Sequence, residues 1–133
     1  MKAKKILIVD DDPHLVIGLA AKLKASGYAV VSAMDGVAAV AVARQELPDL
    51  IILDLGLPAG DGFLVLERLK AMTDLMATPV IVLSAKDPVN SKQRSLQAGA
   101  VAYFQKPPEN REFLQEIRNA LGEGIALSEF LKT

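Results

Sequence analysis

The sequence predicts an α/β domain: a doubly wound five-stranded parallel sheet with helices on both faces. Five short segments are rich in Val, Ile and Leu and lack polar alternation, as strands covered on both faces require. Each is followed by a longer amphipathic segment. The alternation repeats five times, and strand–helix–strand units join parallel strands by right-handed crossovers.

The first strand is KILIV at 5–9, which runs directly into Asp10, Asp11 and Asp12. The first helix spans 13–25. Pro13 suits its first position, Asp12 its N-cap, and Leu15, Leu19 and Leu23 recur at four-residue spacing before a stop at Gly27. AVVSA at 29–33 is the second strand, followed by an Ala- and Val-rich helix at 36–46 that halts near Pro48. LIILD at 50–54 is the third strand and ends in Asp54. Its helix, 62–72, carries an apolar stripe around Leu66 and Leu69, with Asp61 before it as a cap or turn residue. VIVLS at 80–84 is the fourth strand. The fourth helix, about 88–98, has Asp87 as cap and Pro88 as first residue, and Val89 and Leu96 are its expected apolar anchors. AYFQ at 102–105 is the fifth strand. The fifth helix, 109–121, places Phe113, Ile117 and Leu121 on one face before Gly122. Residues 1–122 form the expected domain, and 123–133 a C-terminal tail or the start of a linker.

A chain of 133 residues suffices for one domain with one sizeable core. Its 51% apolar content argues against disorder, and its net charge of -1 argues against direct nucleic-acid binding. No apolar run approaches the ~20 residues of a membrane span. The apolar run after the N-terminal lysines is too short for a signal-peptide core. Without cysteine there is neither a disulfide framework nor a thiolate metal site. The expected location is the cytoplasm.

In a doubly wound sheet, ligands bind outside the carboxyl ends of the strands. That edge would gather Asp10, Asp11, Asp54, Ser84 and Lys106, provided their strands are neighbours. Each residue alone has an ordinary explanation as a turn, cap or surface residue; their joint placement points to phosphoryl handling. Clustered carboxylates need a cation, and oxygen-only ligands suit Mg²⁺. One aspartate can form an acyl phosphate, while Lys106 and Ser84 partner other phosphate oxygens. His14, the only histidine, is given no role.

The segments ILIVDDD, LIILDLGLPAGDG, VIVLSA and AGAVAYFQKP, in this order and spacing, resemble the receiver domain of bacterial two-component response regulators. The resemblance covers about residues 4–122. It implies a flavodoxin-like strand order of 2-1-3-4-5. It also implies roles: Asp54 as phosphoacceptor, Asp11 as direct Mg²⁺ ligand, Asp10 acting through water, and the Gly56 carbonyl as a third protein ligand. Ser84 and Tyr103 match the switch pair, and Lys106 the phosphate-binding lysine, with its bond to Pro107 usually cis in the family. A histidine kinase or phosphotransfer protein would donate the phosphoryl group. The face formed by helix four, strand five and helix five would then control an output domain or protein. Such a domain is not an enzyme acting on external substrates; it assists only its own phosphorylation and dephosphorylation.

Three positions depart from the family pattern. Gly56 stands where a larger side chain often overhangs the phosphoryl group, which predicts a shorter-lived signal. Pro108 replaces a frequent aromatic and stiffens the approach to helix five. Val101 and Ala102 replace acidic residues that one subclass of transcription factors uses in dimer salt bridges, so a homodimer would need another mode. Two other functions compete. An aspartate-nucleophile phosphohydrolase is disfavoured because Gly56 stands where a common family of such enzymes places a second aspartate. A phosphorylation-independent interaction module is disfavoured because all five site positions are chemically competent. A DNA-binding domain does not fit within 133 residues, although the chain can be a piece of a larger regulator or hybrid kinase.

Overall fold

The chain alternates as β1 (Lys5–Val9), α1 (Pro13–Ala25), β2 (Ala29–Ala33), α2 (Gly36–Glu46), β3 (Leu50–Leu53), α3 (Gly62–Ala71), β4 (Val80–Ser84), α4 (Pro88–Gln97), β5 (Ala102–Gln105) and α5 (Asn110–Ala120). The computed structural model describes residues 2–57 and 62–123. Asp61 and the tail beyond Glu123 therefore lie outside the described residues.

All strand pairs are parallel, in the order β2-β1-β3-β4-β5. Side chains along each strand point alternately to opposite faces, so a continuous apolar run supplies two cores. Leu7, Val9, Ile51, Leu53, Val80 and Val82 face one side and pack with Ala39, Ala43, Phe63, Leu66 and Leu69 of α2 and α3. Ile6, Ile8, Leu50, Ile52, Ile81 and Leu83 face the other and pack with Leu23 of α1 and Phe113 and Ile117 of α5. Phe104 meets Phe113 edge to face, with centroids 5.2 Å apart.

Asp12 and Asp87 cap their helices as the sequence suggests. The Asp12 carboxylate accepts from the amides of His14 and Leu15, and Asp87 accepts from Val89. Asp35 caps α2 by accepting from Ala38 at 2.8 Å, and Glu109 caps α5. The Lys106–Pro107 peptide is cis.

One expectation is overturned. Val89 and Leu96 do not anchor α4: they are 78% and 41% exposed. The buried residues of α4 are Ser91 and Ser95. Burial is possible because the Ser95 hydroxyl donates to the Ser91 carbonyl at 2.7 Å, satisfying itself within its own helix.

Candidate functional site

Strands β1 and β3 are neighbours, and their carboxyl ends deliver the acidic residues to one place. The ladder continues just past both strands. The Asp10 amide donates to the Ala33 carbonyl at 3.1 Å, and the Asp54 amide to the Val9 carbonyl at 2.9 Å. These bonds fix the two backbones side by side. One carboxylate oxygen from each of Asp10, Asp11 and Asp54 lies within 4.8 Å of the others.

The three carboxylates differ in setting. Asp10 is 2% exposed and Asp54 7%, whereas Asp11 is open to solvent. One Asp10 oxygen accepts from the Asp12 amide at 2.9 Å; the other accepts from Lys106 Nζ at 2.7 Å. Lys106 Nζ also stands 3.4 Å from Asp54 Oδ2. Its position comes from the neighbouring β4–β5 pair, where the Lys106 amide donates to the Ser84 carbonyl at 2.8 Å. Burial pulls the Lys106 ammonium toward deprotonation, but its hydrogen bond to Asp10 and the charges of Asp54 and Asp10 outweigh this and hold it above the ordinary lysine value.

Asp54 Oδ1 accepts from the Gly56 amide at 3.2 Å, which turns the chain back over the carboxylate. A side chain at Gly56 would begin 3.7–3.8 Å from both Asp54 oxygens. The Gly62 backbone packs directly on that of Asp54 and Leu55. A Cβ there would come within 2.4 Å of Leu55 Cα and 2.7 Å of the Asp54 carbonyl oxygen.

Ser84 is 1% exposed at the end of β4, and its Oγ accepts from the Lys86 amide at 3.2 Å. Tyr103, from β5, is buried and its hydroxyl donates to the Lys86 carbonyl. Burial pushes this phenol above its ordinary value, while the Ser91 and Ser84 hydroxyls act in the opposite direction. Lys86 thus joins Ser84 to Tyr103 through backbone alone, a link that sequence reading missed. Any residue type offers the same amide and carbonyl, so the sequence carries no signal of it.

The structure thus gathers Asp10, Asp11, Asp54, Lys106 and the Gly56 amide, and ties Ser84 to Tyr103 through Lys86. Three carboxylates with no nitrogen or sulfur ligand form a donor set suited to a hard divalent cation. Among the described residues, no helix is long and apolar enough to cross a membrane.

A fold of this order with acidic residues at the β1 and β3 ends defines a receiver, and the sequence agrees. Residues 6–118 match the response regulator receiver domain, and the chain belongs to that family of signalling domains. It is 39% identical over 124 residues to the transcriptional regulatory protein KdpE of Mycobacterium tuberculosis, covering 93% of this chain and 54% of the relative. The chain thus spans about half the length of that relative. A CheY-like response regulator receiver domain protein from Methanospirillum hungatei superposes with a TM-score of 0.85 at 30% identity, over 92% of this chain and 96% of the other. The receiver domain of the sensor histidine kinase PA1611 from Pseudomonas aeruginosa, with magnesium in its active-site cleft, gives 0.83 at 30% identity, over 91% and 99%.

Proposed function

We propose that Asp54 accepts a phosphoryl group from a histidine kinase or phosphotransfer protein. The observation that carries this is the convergence of Asp10, Asp11 and Asp54 within 4.8 Å, with Lys106 Nζ 3.4 Å from Asp54. An Asp54 oxygen forms a bond to phosphorus, the donor's phosphorus–nitrogen bond breaks, and its electron pair returns to the imidazole, which takes up a proton. Lys106 would hold one phosphoryl oxygen, and the Ser84 hydroxyl would donate to another. Asp11, Asp54 and the Gly56 carbonyl would hold Mg²⁺, with Asp10 acting through water. When bound, the cation neutralises carboxylate and phosphoryl charge. The domain assists only its own phosphorylation and dephosphorylation. It comprises 1–122, works in the cytoplasm, and leaves 123–133 as tail or linker.

The link from Ser84 through Lys86 to Tyr103 supports a switch in which phosphorylation at Asp54 resets the α4–β5–α5 face toward an output partner. The test is incubation with acetyl phosphate and Mg²⁺ followed by intact mass. Wild type should gain an acid-stable, base-labile phosphoryl adduct, and Asp54→Ala should not. An undiminished adduct on Asp54→Ala would overturn the assignment.

A further inference from the structure

Helix α4 has little apolar burial to hold it, since its inward positions are Ser91 and Ser95. Its clearest side-chain anchor lies on another helix. The Arg94 guanidinium carbon sits 3.7 Å from the centroid of the Phe63 ring. The ring itself is buried. Lys86 Nζ, from the loop before α4, lies 5.8 Å from the same centroid. Two cations that flank the start and the last turn of α4 thus converge on one ring of α3. Cations above an aromatic face are drawn by its quadrupole.

Phe63 is not an isolated platform. It follows Gly62, whose backbone is pressed onto Asp54 and Leu55 so closely that no Cβ fits. The Gly62 amide also donates to the Leu55 carbonyl at 3.2 Å. The ring's position is therefore fixed by the backbone that carries Asp54. Lys86 closes the circuit, because its backbone also holds Ser84 and Tyr103.

We propose that Phe63, with Arg94 and Lys86, is a cation–π clamp. It ties α4 to the Asp54 segment and holds the helix in the arrangement seen with Tyr103 buried. This is a connection through α3 that meets the Ser84–Tyr103 pair at Lys86, and it rests on the reading of α4 as part of the responsive face. Phe63 and Arg94 act here as positioning residues.

Amide exchange of α4 in the full chain, followed by mass spectrometry, tests the clamp. Phe63→Leu keeps apolar bulk without the ring face, and Arg94→Gln keeps length without charge. Each should speed α4 exchange about threefold, and in Arg94→Gln, which leaves the core intact, the β1 and β3 amides should be unchanged. Phe63→Tyr and Arg94→Lys keep a ring and a cation and should restore most protection. The Phe63→Leu/Arg94→Gln double variant should exchange no faster than the faster single variant, because both remove one interaction. Wild-type α4 protection in Arg94→Gln, or fully additive effects in the double variant, would overturn the clamp. Arg94 is exposed, so its variants decide the matter even if Phe63→Leu does not fold. Acetyl phosphate labelling of the same samples keeps the two readings apart. A wild type without adduct refutes the phosphoacceptor assignment, whereas an adduct with unaltered α4 exchange in Arg94→Gln refutes only the clamp.

Discussion

Gly62 shows how strictly single residues are fixed around the site. Its missing side chain lets α3 begin directly on the Asp54–Leu55 backbone, and a methyl group there would displace main chain rather than a flexible side chain. Gly62→Ala should therefore destabilise the fold by about 3 kcal/mol, read from the shift of a urea unfolding midpoint. Gly56 is the opposite case, since a side chain there meets only ordinary van der Waals contact. It would start beside the Asp54 oxygens. Gly56→Met should lengthen the lifetime of the acyl phosphate by hindering water; an unchanged decay rate would show that access over residue 56 does not govern hydrolysis. The acidic trio, Ser84 and Lys106 were legible in the sequence because strand ends project to one edge of a parallel sheet. Phe63 and Arg94 were not, because a stack between two helices leaves no local periodicity to read.

The strands and helices were legible for a different reason. Burial on both faces removes the polar alternation of a half-exposed strand, and Asp caps with Pro or Gly breaks mark the helix limits, although Glu109, expected inside α5, is its cap. Strand β3 stops at Leu53, one residue before its expected end, although Asp54 still bonds to Val9. The failure at α4 is instructive. Apolar residues were assigned inward, yet the helix is rotated so that Ser91 and Ser95, four apart, face the protein. The Ser95 hydroxyl, satisfied within its own helix, costs little to bury, and Val89 and Leu96 lie at the surface. The caps make a direct prediction. Asp35→Ala removes the acceptor for the Ala38 amide and should cost about 1 kcal/mol in thermal or urea unfolding.

Across the whole molecule, the two cores hold the sheet while its two edges perform different tasks. At the amino edge, the Tyr28 hydroxyl donates to Glu123 at 2.9 Å, joining the turn before β2 to the residue after α5. Burial raises the Tyr28 phenol above its ordinary 10.0, and the Glu123 carboxylate adds to the effect. The folded state thus retains the proton longer than the unfolded chain. Its contribution is complete below pH 10.0 and is lost as pH rises through the higher folded value. Stability of wild type relative to Tyr28→Phe should be constant near neutrality and fall above that pH, which urea titrations across the alkaline range would measure.

Among the described residues, the opposite edge sets three carboxylates against the ammonium of Lys106, so the cluster keeps surplus negative charge. The proposed phosphate-bearing donor would arrive with charge of the same sign and meet repulsion there. On the proposed reading the acidic cluster is an admission rule as well as a ligand set: a divalent cation held there would cancel the surplus negative charge and remove the repulsion that an incoming anion meets.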